Sequence, residues 1–400
     1  MRVACCVKYF IKPPQLLDAT RNTELKTQNS KPSSPHTWHC ASDPPYCTDV
    51  IDTEQLLAEY LPVIRAAEWI AVDTEADSLH AYPEKVCLIQ ISTAQGDRLV
   101  DPLAGFSIDP LLDALNAHQL IMHGADYDLR LLRKHHEFVP GAIFDTMLAA
   151  RLLGHRQFGL QSLVETLLSV KLDKGPQKAD WARRPLTERM EVYARNDTHF
   201  LKPIADKLRA ELQEKGRLAW QEESCARLIQ DCTQGAPPDP DSLWRVKGSH
   251  ALSRAAMAVL RELWLWREAE ATHSNRPPFF ILNHETMVGI ADAAGARQPF
   301  DELIPKHLTP RRRQGLQTAV HDGLSIPVDQ QPKHLKRLHH WPTEAEKRRF
   351  VELAKHRDAQ AEKLGIDPTL IASRATLGEL ARDWDKHAAE LMNWQRELMK

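Results

Sequence analysis

Trp69-Ile-Ala-Val-Asp-Thr-Glu75 is an apolar run that ends in two carboxylates separated by one residue. Such a run predicts a buried β-strand, in which residues two apart point to the same face. The side chains of Asp73 and Glu75 would therefore project side by side. Two neighbouring carboxylates repel one another and resist desolvation unless a divalent cation lies between them. Mg²⁺ and Mn²⁺ favour such oxygen ligands, so this stretch predicts part of a metal site.

The residues around this strand predict a mixed sheet with helices packed on it. Further strands are expected at residues 86–92, 98–100, 120–123 and 142–144. Helical patterns begin at Thr53 and recur at residues 109–116, 126–136 and most of 146–212, with a loop at about 173–185. Three strands, a helix, a strand, a helix, a strand and then helices are typical of the α/β class.

Composition and Pro- or Gly-rich stretches divide the 400 residues into segments. The first segment is rich in Pro, Ser, Thr and Asn and has no periodicity, which is typical of a disordered extension. The last two segments contain no convincing strand. The expected boundaries are an extension over 1–48, an α/β domain over 49–220, a linker over 221–244, a helical domain over 245–326, a linker over 327–342 and a second helical domain over 343–400.

The overall composition predicts a globular protein, because 42% of the residues are hydrophobic and 26% are charged. No apolar run approaches the roughly 20 residues that a membrane helix needs, and no secretory signal is expected. The seven sparse cysteines complete no zinc motif, so free thiols in a reducing cytoplasm are expected. The sequence therefore predicts a cytoplasmic protein without a membrane partner.

The charge is uneven, although the formal net charge is only −2. Residues from Arg245 onward carry 25 Lys and Arg against 20 Asp and Glu, whereas the preceding residues carry 27 against 34. An acidic first part and a mildly basic second part suit a metal site joined to a module that binds polyanions.

Two metal ions need more ligands than Asp73 and Glu75, and two other acids lie on suitable elements. Asp128 is in the first turn of the helix predicted after the fourth strand. Asp197 follows Tyr193 by four residues in a predicted helix, so the carboxylate and the phenol share one face. Each residue alone also fits a solvated turn or a helix cap. Their order along the chain, on elements that can meet, favours one shared site.

Three motifs resemble those of the DEDD exonucleases, in the subclass whose third motif contains a tyrosine. They are Val72-Asp-Thr-Glu75, His123-Gly-Ala-Asp-Tyr-Asp128 and Tyr193-Ala-Arg-Asn-Asp-Thr-His199. Phe144-Asp-Thr146 and Gln177-Lys-Ala-Asp-Trp-Ala-Arg-Arg-Pro-Leu186 are similar to stretches specific to ribonuclease D and the exosome-associated eukaryotic exonuclease. The resemblance covers about residues 51–220, and all four acids and the tyrosine are present.

The later helical segments resemble the HRDC domain, which is named for helicases and ribonuclease D. Asn275-Arg-Pro-Pro-Phe-Phe-Ile-Leu-Asn283 is similar to its central signature, and Lys363-Leu-Gly-Ile-Asp-Pro-Thr-Leu-Ile371 to a more divergent second copy. The tandem favours ribonuclease D over the exosome enzyme. The resemblance thus implies an RNase H-like α/β exonuclease domain, a mixed sheet flanked by helices, followed by two all-α HRDC-like domains.

The same resemblance implies a 3′–5′ exoribonuclease that uses two divalent metal ions, Mg²⁺ or Mn²⁺, and releases nucleoside 5′-monophosphates. It implies that Asp73 bridges both ions and that Glu75 and Asp197 complete the ion that holds the attacking water. Asp128 would serve the other ion. Tyr193 is expected to orient the water rather than take its proton, because the unperturbed pKa of tyrosine is about 10.

The expected partner is RNA with a free 3′ end, with tRNA precursors as the expected substrate and no obligate protein partner. The backbone at Thr74 and the side chain of His123 are expected to touch the terminal nucleotide. A strand-end histidine satisfied by its neighbours is the alternative for His123. Asp180 with Arg183 or Arg184 is expected to form an ion pair that holds the loop.

Two other functions stay open at this point. One is a DNA exonuclease of the proofreading type, which the ribonuclease D-like loop and the tandem helical segments disfavour. The other is a non-catalytic RNA-binding scaffold. The loss of a carboxylate would favour the scaffold, and none is lost.

Overall fold

A six-stranded mixed sheet lies at the centre of the computed structural model, which describes residues 50–233, 239–335 and 340–400. The strands are β1 Val50–Ile51, β2 Ile70–Ala76, β3 Val86–Thr93, β4 Gly96–Val100, β5 Gln119–Met122 and β6 Ala142–Asp145. Their spatial order is β1-β4-β3-β2-β5-β6. The central strand β2 pairs antiparallel with β3 and parallel with β5. The predicted mixed sheet is therefore confirmed, with the two-residue edge strand β1 as an addition.

Helices cover both faces of this sheet. They are α1 Glu54–Ala66, α2 Asp109–Asn116, α3 Asp126–His136, α4 Thr146–Leu153, α5 Leu160–Leu163, α6 Glu188–His199, α7 Leu201–Glu214 and α8 Leu218–Thr233. Helices α1, α2, α3 and α8 share a core with Ile70 and Val72, whereas α4 and α7 share one with Ala71. Because side chains alternate along a strand, Thr74 points to the first face and Asp73 and Glu75 to the second.

The predicted linker over residues 221–244 is wrong for its first half. Helix α8 continues to Thr233, and its buried Gln221, Cys225 and Cys232 face the α/β part. Both cysteines belong to the core under the first face of the sheet. A buried stripe made of one glutamine and two cysteines has little apolar character, so the sequence pattern did not reveal it. The predicted N-terminal extension, residues 1–48, lies outside the described residues.

The helices after α8 form two groups. The first is α9 Pro240–Leu243, α10 Arg254–Ser274, α11 Pro278–Ile281, α12 His284–Gly295 and α13 Pro310–Ser325, and α10, α12 and α13 enclose a separate hydrophobic core. The second is α14 Glu344–Leu364, α15 Pro368–Ile371, α16 Arg374–Arg382, α17 Trp384–His387 and α18 Asn393–Met399. This second group shares its core with α4 and α7 of the α/β part. Among the described residues, no helix has the length and apolar character needed to span a bilayer.

Candidate active site

Three carboxylates meet at the end of β2. The ligand oxygens of Asp73, Glu75 and Asp197 lie within 4.8 Å of one another, and each residue is partly buried. Strand β2 supplies the first two from one face, and α6, which packs on that face, supplies the third. Oxygens bound to one Mg²⁺ at about 2.0–2.1 Å lie up to about 4.2 Å apart, so small side-chain rotations would adapt the set to one ion. The donor set therefore fits a divalent cation.

Asp128 reaches the same strand end from the other face of the sheet. The hydroxyl of Thr74 donates a hydrogen bond to Asp128 Oδ1 at 2.5 Å. Both residues are buried, each with 6% of its surface exposed. The three-carboxylate cluster found in the described part of the chain does not include Asp128. Asp128 lies instead against the residue between the two β2 carboxylates.

A buried aspartate, Asp145, fixes the turn that leads to Asp128. Its carboxylate accepts backbone hydrogen bonds of 2.8–3.2 Å from Gly124, Ala125, Met147 and Leu148. The first two N–H groups precede α3, and the other two begin α4. One carboxylate thus joins the starts of the two helices. This bonding gives a physical reason for the aspartate in Phe144-Asp-Thr146.

Tyr193 lies one helical turn before Asp197 on α6. Its ring packs against Gly175, where an added Cβ atom would lie 1.5 Å from a ring carbon. The ring centroid is 6.0 Å from that of the buried Trp181, at an angle of 37°. Burial raises the pKa of Tyr193 well above its usual range, and the charges of Asp197 and Glu75 raise it further. The phenol therefore stays protonated at neutral pH.

The loop that carries Gly175 and Trp181 is anchored by Arg184. Its Nε and Nη2 atoms donate to the two carboxylate oxygens of the buried Asp101 at 2.5 and 2.6 Å. Nη2 also donates to the carbonyl of Cys87 at 2.7 Å. The expected ion pair of Asp180 with an arginine is therefore wrong for Arg184, which pairs with Asp101. Asp180 Oδ1 instead accepts the N–H of Ala182 at 3.2 Å.

His123 is held by a neighbouring side chain at the end of β5. Its Nδ1 lies 2.8 Å from the hydroxyl oxygen of Thr146. That hydroxyl donates its single proton to the carbonyl of Met122 at 3.1 Å. The hydroxyl oxygen must then accept from Nδ1–H, which fixes the ring orientation and the tautomer. This bond holds the ring at the end of β5 through Nδ1, and it does not involve Nε2.

Sequence reasoning missed Gln90, Asp101 and Asp145 as residues around the site. Gln90 lies directly opposite Asp73 on β3, so the two side chains share a face. It is fully buried, and neither polar side-chain atom has a hydrogen-bond partner among the described residues. Only the family-like stretch around Asp145 carried a sequence signal. Gln90 and Asp101 carried none, because Asp73 and Arg184 become their neighbours only in the folded protein.

Comparison with known proteins identifies an exonuclease domain followed by an HRDC domain. A family model described as 3′-5′ exonuclease matches residues 48–213, and one described as HRDC domain matches residues 256–296. The chain is 35% identical to Ribonuclease D of Zymomonas mobilis over 254 residues, which cover 62% of this chain and 65% of that relative. The chain thus spans just under two thirds of the length of that relative. It is 30% identical to Ribonuclease D of Jannaschia sp. over 349 residues, which cover 83% of this chain and 88% of that relative.

A solved structure resembles most of the chain. It is described as Escherichia coli RNase D, an exoribonuclease involved in structured RNA processing. The TM-score is 0.68 at 26% sequence identity, and the match covers 88% of this chain and 96% of that chain. The similarity therefore extends beyond the sheet into the helical groups.

Proposed function

The chain belongs to the ribonuclease D family, and we propose that it hydrolyses RNA from the 3′ end and releases nucleoside 5′-monophosphates. It is a 3′–5′ exoribonuclease by its family and by its exonuclease domain. The observation that carries the proposed chemistry is the convergence of Asp73, Glu75 and Asp197, with Tyr193 one turn away on the same helix. Because the solved relative is described as acting in structured RNA processing, we take tRNA precursors as the substrate class.

The exonuclease family that the chain matches depends on divalent metal ions. We assign two Mg²⁺ ions to this site, with Asp73, Glu75 and Asp197 as the protein ligands of one and Asp73 with Asp128 as those of the other. When bound, two such ions stabilise the attacking and leaving oxygens and lower the pKa of the attacking water. Gln90 lies opposite Asp73 on β3, and its buried carboxamide would offer a donor and an acceptor to water molecules at the site.

Tyr193 would hold and orient the attacking water. Its raised pKa keeps the hydroxyl protonated, so Tyr193 can donate or accept a hydrogen bond but is a poor base at neutral pH. The packing of its ring against the loop at Gly175 fixes the position of the hydroxyl. The backbone at Thr74, between the two β2 carboxylates, and the side chain of His123, which directly follows the neighbouring strand β5, would contact the terminal nucleotide.

A second HRDC-like domain over residues 343–400 is part of the proposal. Its support is a repeat of structure at an offset of 90 residues. The paired elements are α10 Arg254–Ser274 with α14 Glu344–Leu364, α11 Pro278–Ile281 with α15 Pro368–Ile371, and the starts of α12 at His284 and α16 at Arg374. The left-handed residues that end the long helices, Asn275 and Gly365, obey the same offset.

The shared offset extends to side chains. Arg267 and Arg357 each form a salt bridge of 2.7 Å with the acid that follows in the sequence. Ala271 and Ala361 are both buried and accept the backbone bond that closes the helix end. Equivalent bonds at equivalent positions favour two copies of one domain. The second copy is the one whose core merges with that of the α/β part.

A degradation assay tests the proposed function. RNA and DNA oligomers of the same sequence, labelled at the 5′ end, are incubated with the protein in Mg²⁺ or EDTA. We expect stepwise shortening of RNA from the 3′ end in Mg²⁺ only. Asp73→Asn keeps the shape of the side chain but removes a ligand charge, so activity should be almost lost while RNA binding is retained. Substantial Mg²⁺-dependent activity in this variant would refute the assignment, and degradation of DNA alone would favour the proofreading type.

A further inference from the structure

The loop after β2 connects the carboxylate cluster to the first HRDC domain. Tyr82, in this loop, donates its backbone N–H to Asn275 Oδ1 at 3.2 Å. Its hydroxyl donates to the carboxylate of Glu268 on α10. Asn275 directly follows α10, and α11 begins three residues later. The loop that leaves the catalytic strand is therefore bonded to the residues that precede α11.

Helix α11 presents two adjacent phenylalanines to solvent. Phe279 is 51% exposed and Phe280 is 52% exposed. Their ring centroids are 4.6 Å apart, at an angle of 35°. Phe279 lies four residues after Asn275, which limits its distance from the Tyr82 contact to about 14 Å of chain. Arg276, which lies between Asn275 and Phe279 in the sequence, is also exposed.

The other end of the same loop is also apolar and exposed. Leu79 is 42% exposed, and Tyr127, next to Asp128, is 44% exposed. A hydrogen bond joins the side chains of Tyr127 and Ser78. Exposed apolar and aromatic surface thus borders the loop from the Asp128 end to α11. Adjoining exposed apolar residues commonly mark an interaction site.

The repeated domain shows that the fold does not require aromatic residues at these positions. At the offset of 90 residues, Phe279 and Phe280 correspond to Thr369 and Leu370 on α15. Thr369 supports its own helix, since its hydroxyl donates to Asp367 at 2.6 Å. The same short helix therefore forms with a small polar residue and an aliphatic one. The exposed aromatic pair is a property of the first copy alone, which argues for a role outside folding.

We propose that Phe279 and Phe280 form a stacking platform for the single-stranded part of the RNA substrate, upstream of the 3′ end held at the carboxylates. The inference rests on the proposed function. Exposed aromatic rings bind unpaired bases through their π-faces and without regard to sequence. Arg276 adds a positive charge beside the rings for a phosphate. Leu79 and Tyr127 border the path of the strand between the platform and Asp128.

The repeated domain supplies the variant that tests the platform. Phe279→Thr with Phe280→Leu introduces the residues that the second copy uses at these positions, so α11 should still form. The substrates are an RNA trimer, which we expect to occupy only the carboxylate site, and a single strand of about twelve nucleotides, within the reach of an extended binding groove. We expect KM for the longer strand to rise by about five-fold or more, as for the loss of one stacked base. The values of kcat for both substrates and KM for the trimer should be unchanged.

A matched control and a modified RNA separate stacking from other effects. Val351→Thr removes an apolar side chain of similar exposure, 52%, from α14 and should leave KM unchanged. Abasic sites in the 5′ half of the longer strand should raise KM for the native protein but not further for the double variant, because both changes remove one interaction.

Three outcomes would overturn the platform. An unchanged KM for the longer strand in the double variant is the first, and an equal rise for the trimer is the second. The third is a lower oligomeric mass in light scattering with KM unaltered, which would assign the rings to contact between copies of the chain. If the native protein degraded neither RNA, the proposed function itself would fail, and the two failures are thereby distinguished.

Discussion

Adjacent residues of β2 point to opposite faces of the sheet at the candidate active site. Asp73 and Glu75 point toward α6 and Asp197, whereas Thr74 points toward α3 and bonds Asp128. A strand end open on both faces can therefore receive carboxylates from two helices. The sequence predicted that Asp73, Glu75 and Asp197 meet. It could not predict that Asp128 arrives from the other face, because that depends on where α3 packs.

Tyr193→Phe tests the role of the phenol at the residue scale. The ring and its contacts with Gly175 and Trp181 remain, so metal binding and folding should be unchanged. We expect kcat to fall at least about ten-fold, since an orienting hydrogen bond is lost. Because the pKa of Tyr193 is raised, the shape of the pH–rate profile between about pH 6 and 9 should be the same in both proteins.

The opposite pH behaviour would contradict this role. If ionised Tyr193 were the base, the activity of the native protein would rise with pH toward the pKa of the phenol, and the variant would lose that rise. An unaltered kcat in the variant would also exclude a role in orienting the water. Both are read from steady-state rates of RNA hydrolysis at saturating Mg²⁺.

At the scale of the element, the loop between α5 and α6 positions Tyr193. The sequence predicted a loop in this region and an arginine ion pair that holds it. The predicted acid, Asp180, was wrong for Arg184, because its actual partner, Asp101, is 83 residues away in the chain. Helix α8 shows the same limitation, since its buried stripe of Gln221, Cys225 and Cys232 carries little apolar pattern.

Arg184→Lys tests this loop anchor. Lysine keeps the charge but cannot make the two parallel bonds to Asp101, so the loop against Tyr193 should loosen. We expect kcat to fall several-fold while Mn²⁺ affinity is retained, because no carboxylate of the cluster is touched. Arg183→Lys, at the exposed neighbour, is the matched control and should behave as the native protein.

A double variant decides how the anchor acts. If it acts through Tyr193, then Arg184→Lys should cost much less activity when Tyr193 is already Phe. Equal losses in both backgrounds would show that the anchor supports the site by another route. Reduced Mn²⁺ affinity in Arg184→Lys would point to the carboxylates instead.

At the scale of the whole molecule, the second helical group is joined to the α/β part through the C-terminal ends of two helices. Arg217 donates to the carbonyls of Leu152 near the end of α4 and Leu364 at the end of α14, at 2.7 and 2.8 Å. A cation at two helix C-termini is favoured by both helix dipoles. Trp220 and Trp394 stack beside it, with centroids 5.0 Å apart. The sequence could not predict this junction, because Arg217 and Leu364 are 147 residues apart in the chain.

Gly154→Ala tests the junction. Gly154 has a positive φ of 89°, and a Cβ atom there would lie 2.1 Å from the carbonyl oxygen of Gly365. Gly105 is the matched control, with φ of 90° and no described atom within 4 Å of its added Cβ. Both substitutions carry the cost of left-handed backbone. Gly154→Ala should lower the free energy of unfolding by about 1–3 kcal/mol more than Gly105→Ala, through overpacking.

Urea unfolding followed by circular dichroism measures this difference. Equal losses for the two alanine variants would show that the ends of α4 and α14 do not meet in solution.

The hydrophobic core that α4 and α7 share with the second helical group has a second consequence. A truncation before α10 would uncover the apolar side chains of α4 and α7, so it would alter stability as well as RNA binding.

The most direct test of the central claim is the anomalous difference map of a crystal of the full chain grown with Mn²⁺. We predict one peak bound by Asp73, Glu75 and Asp197 and a second about 3.5–4 Å away, on the side of Asp128. Asp73→Asn should remove or weaken both peaks. Strong anomalous density elsewhere with none at these carboxylates would contradict the assignment of this strand end as the catalytic metal site.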